Sequence, residues 1–377
     1  MKQYDLAIIG GGLAGLSLLY HLHEAGKLTN QRVLLVDPER KGGNDRTWSF
    51  WEMGQGPFDD IVRQRWNRVT LHNTDTDLSC DLGAYTYKLI RSADFYAKTQ
   101  AALSKVPGLD RRYARATDIR NTSEGVQLTV EGETVYARQA FSSLPHPLDH
   151  REVKAPYLDQ HFRGWYVETE EDTFDPVVAS LMDFRTPQHG ETRFFYVLPF
   201  SRRRAVVEIA IFSNQHLQTE TYDRLLKEYI ARHWTEGRYR IEHTEAGNIP
   251  MTTYSFPRRE GKLIHIGLGG GDARPSTGYT FYNVQRKMMQ IAEAYPRLPD
   301  LSPWPERHIL YDATLLRLLQ NEVLPGDRVF VNLFRDNPAD RVLAFLNGET
   351  NLIQELRLMS TVPIAPFAST FARELIR

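Results

Sequence analysis

The stretch that most constrains this chain is YDLAIIGGGLAGLSLLYHL, from Tyr4 to Leu22. An apolar run (Leu6, Ala7, Ile8, Ile9) leads into Gly10-x-Gly12-x-x-Gly15, and Leu16, Leu18, Leu19 and Leu22 follow at helical spacing. That order reads as strand, tight turn, helix. Gly10 permits the sharp turn, Gly12 lets the backbone approach a phosphate, and Gly15 lets helix and strand pack closely. The helix start, through Leu13 and Ala14, offers unpaired N–H groups and a positive dipole end to an anion. A second apolar strand, Val33 to Val36, ends in Asp37, about 20 residues beyond the glycines, where an acid suits a ribose 2′-hydroxyl and disfavours a 2′-phosphate. The stretch points to a dinucleotide and leaves NAD and FAD both open; a glycine-rich turn that binds nothing is the alternative, and Asp37 argues against it.

A chain of 377 residues can hold two or three structural units. Its net charge of −1 gives no sign of nucleic acid or of a generally acidic partner. Cys80 is the only cysteine, which excludes an internal disulfide, a cysteine-rich zinc site and a CxxC pair and fits a reducing compartment. The first strand begins almost at the first residue, leaving no room for a signal core, and no apolar run approaches the ~20 residues of a membrane span. The expectation is a soluble or peripheral protein. His146 and His150 lie in a Pro-rich loop with no third ligand nearby in sequence, so no metal site is expected.

Downstream, the aromatic segment from Gly42 to Trp51 lacks a helical or strand period and reads as a loop lining a cavity or as ordinary core packing. Arg91 to Leu103 reads as a helix with Ser92 as N-cap. Val126 to Val130 and Thr134 to Tyr136 read as a hairpin, and Phe141 to Leu144 as a return to the parallel sheet. Between Gly164 and Phe212 strands become frequent (GWYVET, VVASLMDF, RFFYVLPF, RAVVEIAIF) and predict an inserted, mostly antiparallel sheet, followed by an amphipathic helix from Tyr222 to Trp234. Leu263 to Ile266 then runs into Gly267-x-Gly269-Gly270-Gly271-Asp272 and Pro275-Ser276-Thr277-Gly278-Tyr279, a second glycine-rich turn before a helix at Phe281 to Tyr295. It does not repeat G-x-G-x-x-G, which argues against a separate nicotinamide domain. Three helices are expected beyond it, around Tyr311 to Gln320, Pro338 to Leu346 and Asn351 to Met359, preferred as a cap on the core over membrane-binding helices.

Three acids stand in unusual places. Glu208 interrupts Ala205 to Phe212, a strand apolar on both faces, so its carboxyl must find a cation or stay protonated in an apolar setting. Asp183 in ASLMDF poses the same question, and Glu245 precedes the turn-like Gly247-Asn248-Ile249-Pro250. A structural ion pair is the alternative for each; Arg202, Arg203 and Arg204 lie next to Glu208.

Taken together, these segments resemble the FAD-dependent lycopene β-cyclases of bacterial type. The likeness runs through the N-terminal glycines, Asn44-Asp45-Arg46-Thr47-Trp48-Ser49-Phe50-Trp51, Tyr196-Val197-Leu198-Pro199, the strand acid Glu208, Glu245-x-Gly247-x-Ile249-Pro250, Pro275 to Tyr279, and Arg341-Val342-Leu343-x-Phe345-Leu346. It departs from the family where Ile209 and Ala210 follow the acid and where Arg274 precedes the PSTGY proline. The resemblance implies an α/β flavoprotein: a Rossmann-like FAD domain (residues 1–160 and 256–298), an inserted sheet domain (161–255) and a C-terminal helical cap (299–377). It implies that reduced FAD, supplied with electrons by NAD(P)H, supports cyclisation of the linear ψ-ends of lycopene to β-rings without net redox change. On it, Glu208 is the acid and Asp183 or Glu245 assists; Gly10, Gly12, Leu13, Ala14, Gly15, Asp37, Arg46, Asp272, Thr277 and Gly278 hold the cofactor; Trp48, Trp51, Tyr196 and Tyr279 face the polyene. It further implies a cytoplasmic protein in peripheral contact with a membrane, with no obligate protein partner. The alternatives are a redox-active isoprenoid reductase or monooxygenase, and a non-catalytic flavin-binding sensor.

Overall fold

The computed structural model describes residues 2–148, 153–298, 302 and 304–376; His150 lies outside them. The N-terminal motif folds as its spacing demands: strand Lys2–Ile9, helix Leu13–Glu24, strand Val33–Val36. These strands pair in parallel, with Ile8 between Leu35 and Phe141. Where both faces are covered, over Leu6 to Ile9 and Val33–Val36, they are apolar throughout. The sheet runs Arg259–Glu260, Leu263–His265, Glu133–Ser142, Lys2–Ile9, Val33–Val36, Leu109–Arg112, with Val126–Val130 and Ala116–Asn121 branching from Glu133–Ser142. The second strand of the expected hairpin and the returning strand are one continuous strand, Glu133–Ser142, its first half antiparallel to Val126–Val130 and its residues from Val135 to Ser142 alongside Lys2–Ile9. Helices Leu13–Glu24 and Phe281–Ala294 bury Leu16, Leu19, Leu22, Val284, Met288 and Ile291 in one core on this sheet.

The second sheet has the order Tyr239–Thr252, Tyr157–Thr169, Arg204–Ser213, Thr192–Pro199, Ala179–Asp183, Arg68–His72, Asp77–Asp81. It is antiparallel, as expected, except where Ala179–Asp183 meets Arg68–His72. The last two strands come from ahead of the inserted region, so two separate pieces of chain complete it. Helix Thr219–His233 covers one face, Leu226, Tyr229 and Ile230 packing on Phe195, Val207, Ile209 and Ile211. The other face looks toward the dinucleotide-binding sheet and the C-terminal helices.

Three local expectations are corrected. Thr47–Met53 is a strand, paired with Tyr85–Arg91 in a small third sheet; with aromatics on both of its faces it shows no polar alternation. Ser92 is the first helical residue rather than the cap, its Oγ accepting from the Arg46 N–H (3.0 Å). The C-terminal region contains five helices among the described residues, not three: Glu306–Gln320, Gly326–Arg335, Ala339–Leu346, Leu352–Met359 and Ile364–Leu375. The last holds Pro366 in its first turn, where a proline's missing N–H costs no hydrogen bond.

Candidate functional site

The two glycine-rich turns converge. Gly10 has φ +100°, and a Cβ there would lie 2.2 Å from Ser143 Oγ; at Gly15 it would lie 2.0 Å from the Gly10 carbonyl oxygen. Gly12 faces open space, so the first turn is shaped by two glycines and kept accessible by the third. A Cβ on Gly267 would approach Ala14 Cβ to 2.9 Å, which puts the second turn directly against the first helix. Between them lies a cavity of about 410 Å³ lined by Gly12, Leu13, Ala14, Arg46, Thr277 and Gly278 and, at its far end, by Tyr196, Glu208 and Glu245. Asp37 stands beside the first turn, its Oδ2 accepting from the Gly11 N–H (2.7 Å). The buried Oδ1 atoms of Asn44 and Asp45 and the Oε1 of Gln160 have no hydrogen-bond partner among the described residues, and Asp45 and Gln160 line the cavity. Acceptors left without donors, beside an anion-binding helix start, fit a dinucleotide bearing a ring with N–H groups.

At the far end, one register position organises the acids. Gly164 on the Tyr157–Thr169 strand lies opposite Glu208 on one neighbour and Glu245 on the other. Directly opposed residues share a face, so both carboxyls rise from the sheet on either side of a residue with no side chain. A Cβ at Gly164 would lie 3.1 Å from Glu208 Oε2 and 3.2 Å from Glu245 Cγ. Burial, then the charge of Glu245, hold the Glu208 carboxyl well above the usual carboxylate range, and no hydrogen bond from another described residue opposes this. Glu245 is pushed up to about 7 by burial, opposed by a hydrogen bond from Thr47 Oγ1 (2.9 Å). Both carboxyls are therefore biased toward the neutral form, Glu208 more strongly than Glu245. Tyr87, Tyr196 and Tyr279 stand around it, their phenols raised by burial, with Tyr87 and Tyr279 hydroxyls 3.2 Å apart.

Four other expected residues are placed as follows. Asp183 is fully buried but sits opposite Phe195, whose ring stacks on Tyr229, on the helix-covered face away from Glu208. Its Oδ2 accepts from Arg185 (2.6 Å) and Tyr229 (2.6 Å). Burial alone would raise its carboxyl, but these bonds hold it below the usual range. The structural ion pair is what the fold uses here, and Asp183 has no place in the acid site. Asp272 is likewise buried inside the turn it was expected to present to a cofactor. It accepts from the Gly267 N–H (2.6 Å) and pairs with Lys287, so it holds the turn's shape. Trp48 lines the 410 Å³ cavity at its dinucleotide-binding end, packed on Phe95 and Phe281. Trp51 is buried, donating to the Leu343 carbonyl (3.2 Å) with its ring 4.2 Å from that of Tyr279. The residues that sequence reasoning missed are Gly164, Thr47 and Tyr166; a glycine inside an otherwise bulky strand was the readable signal for the first.

Beyond Tyr279 and Thr277, which line both spaces, lies a second cavity of about 350 Å³. Its walls are almost wholly apolar: Trp51, Met182, Phe330, Phe334 and Phe345 inside, and Leu356, Ile364, Phe367 and Phe371 from the last two helices.

Fold and site define an α/β protein with a glycine-rich βαβ unit and a second sheet that carries a pair of buried acids beside an apolar cavity. The sequence profile of the lycopene cyclase protein family matches residues 5–372, and the chain belongs to that family. It is 23% identical to a lycopene beta-cyclase of Pantoea ananas, over 97% of this chain and 96% of that one. It is 25% identical to a chloroplastic lycopene beta cyclase of Nicotiana tabacum over 73% of its length, spanning 57% of the tobacco protein. In fold it is similar to a geranylgeranyl bacteriochlorophyll reductase-like protein of Thermoplasma acidophilum, with TM-score 0.64 at 15% identity, covering 100% of this chain and 99% of that one.

Proposed function

We propose that this protein binds FAD between its two glycine-rich turns and cyclises the ψ-ends of lycopene to β-rings without net redox change. The observation that carries this reading is the acid pair flanking Gly164, open on one side to the dinucleotide-sized cavity and next to an apolar one. Protonating an unactivated alkene requires an acid kept neutral where water is excluded. Glu208 is such an acid. The carbocation that follows requires electron-rich neighbours that do not trap it, and the faces of Tyr196, Tyr279 and Tyr87 supply them. Gly10, Gly12, Leu13, Ala14 and Gly15 would hold the FAD pyrophosphate, Asp37 the ribose, and Arg46, Thr277 and Gly278 the flavin side. When bound in reduced form, FAD supplies negative charge beside the developing cation; NAD(P)H is the donor that keeps it reduced.

A polyene reaches this site from a bilayer. No helix among the described residues is long and apolar enough to cross a membrane. The last two helices expose Leu352 and Ile353, and Leu356 and Ile364 are both exposed and part of the wall of the apolar cavity. That arrangement supports peripheral membrane contact at the cavity's rim, on the cytoplasmic side where reductant is available. The test is an anaerobic incubation with lycopene in liposomes, FAD and NADPH, resolved by chromatography. Cyclised product with no stoichiometric NADPH consumption is expected, lost in Glu208→Gln with FAD still bound. Unchanged lycopene with reduced flavin, or a saturated product formed at the expense of NADPH, would overturn the reading, the latter in favour of a reductase.

A further inference from the structure

We propose that Thr47 and Tyr166 are positioning residues that decide which member of the acid pair keeps the shared proton, holding Glu245 as the carboxylate and leaving Glu208 as the acid. The proposal rests on the cyclase reading above and adds the division of labour between the two glutamates.

The two carboxyls are close to equivalent in placement. They rise from opposite neighbours of the same strand at the same register position, on the same face, and Gly164 separates them. Two like charges so placed in a desolvated site do not both ionise, so one proton stays and something must choose its host. The hydrogen bonds make that choice. Asn44 Nδ2 donates to Tyr166 Oη (3.2 Å), Tyr166 and Thr47 share a hydrogen bond through their hydroxyls, and Thr47 Oγ1 donates to Glu245 Oε2 (2.9 Å). Because Thr47 gives its only proton to Glu245, Tyr166 must be the donor in the middle bond. Every donor in the chain then points toward Glu245, and such a chain polarises cumulatively in favour of an anion at its end. Among the described residues no such chain ends on Glu208.

The other charged and titratable groups bearing on Glu245 come from three directions. Arg46, on the segment that carries Thr47, favours its ionised form and Asp45 opposes it. Glu208 faces it across Gly164, and Tyr166 lies two residues along the same strand as Gly164. Arg46 is exposed to solvent and therefore screened, which leaves the hydroxyl chain, together with the Thr47 backbone hydrogen bond, as the buried determinants.

The step balances in protons and electrons. The Glu208 O–H bond breaks as its proton forms a C–H bond with the terminal alkene, and the resulting cation is attacked by the neighbouring double bond to close the ring. The ring cation loses a proton from an adjacent carbon to the Glu245 carboxylate. Glu245 then gives that proton up to solvent and Glu208 takes up another from solvent, restoring both groups with no electron transferred.

The proposal is tested with Thr47→Val, which keeps shape and removes the donor, Thr47→Ser, which keeps the donor, and Tyr166→Phe, which removes the second. The rate of a single flavin-loaded turnover in liposomes is measured against pH. Glu245 must be ionised to act, so activity rises with pH through its titration near 7. Loss of the Thr47 donor raises that titration, and the rising limb should move up by about one pH unit, lowering the rate at pH 7 about fivefold. Thr47→Ser should keep the limb in place, and Tyr166→Phe should move it in the same direction by less. Infrared titration of the carboxyl stretch, taken as parent minus a Glu245→Gln version of each protein, should show the same displacement without any turnover. An unmoved limb and band in Thr47→Val, or an equal displacement in Thr47→Ser, would overturn the proposal. Failure of the parent protein to cyclise would instead count against the cyclase reading, and the infrared titration would still report on the pair.

Discussion

Gly164→Ala is the smallest change that strikes the acid site without touching an acid. The φ of Gly164 lies outside the left-handed region, so alanine can adopt the backbone. In a strand interior the replacement would by itself stabilise the fold by about 0.5–1 kcal/mol, because glycine loses more freedom on folding. Against this, the new methyl lies 3.1 Å from Glu208 Oε2 and 3.2 Å from Glu245 Cγ, each closer than ordinary contact. Overpacking of this kind costs about 1–3 kcal/mol where neighbours cannot move, but here both are side chains bordering a cavity and can give way. The two effects nearly cancel, and thermal unfolding should shift by only a few degrees. The displaced carboxyls matter more: moving reacting groups by about 1 Å costs on the order of 100-fold in rate. The assay pairs a thermal melt and FAD titration with the rate of cyclisation in liposomes. The expected outcome is a folded, flavin-binding protein at least ~30-fold slower. A variant that turns over at the parent rate would refute the claim that the substrate's reacting end meets the acids over Gly164.

Other consequences follow from the same geometry. Asp183→Asn should destabilise the protein by about 2–3 kcal/mol at neutral pH, since it breaks a pair whose arginine is only partly buried, with no change in the pH profile of cyclisation. Because the Asp183 carboxyl is held below its ordinary value, its stabilisation is present at neutral pH and is lost as pH falls below about 4; urea melts across pH 3–7 would show the parent converging on the variant at the acid end. Replacing both Ile353 and Ile364 by Asp should abolish flotation with liposomes while leaving FAD affinity intact, and wild-type flotation in that double variant would refute membrane contact at the cavity rim. Tyr279→Phe should keep most of the rate and Tyr279→Ala should lose roughly 10- to 30-fold, as removal of a cation-facing ring worth about 2 kcal/mol predicts; equal losses in both would assign the effect to the hydroxyl.

Much of this was legible from residue pattern because the pattern is itself physical. The first βαβ unit was readable since each fingerprint glycine answers a different steric demand, and the inserted sheet since its strands are apolar between turn residues. Glu208 was readable as a carboxyl in a strand that had no other reason to hold one. Asp183 looked the same in sequence, yet Arg185 two residues on and Tyr229 on a helix 46 residues away satisfy it; nothing in a one-dimensional pattern tells a paired acid from an unpaired one. Asp272 misled for a related reason, its partner Lys287 lying one helix further along. The segment from Gly42 to Trp51 reads as a loop or as core packing because a strand with aromatics on both faces, here Thr47–Met53, loses its two-residue period. The pairing of Glu208 with Glu245 is a property of strand register, and it appears only when Gly164 is placed between them.

The central claim is that a proton from an exchangeable carboxyl, and no hydride, starts the reaction. The most direct measurement is cyclisation in D2O, with protein pre-equilibrated so that Glu208 carries deuterium, followed by mass analysis of the product. One deuterium per ring formed is the predicted result. Rings formed without deuterium, or a product heavier by two hydrogens taken from NADPH, would contradict it.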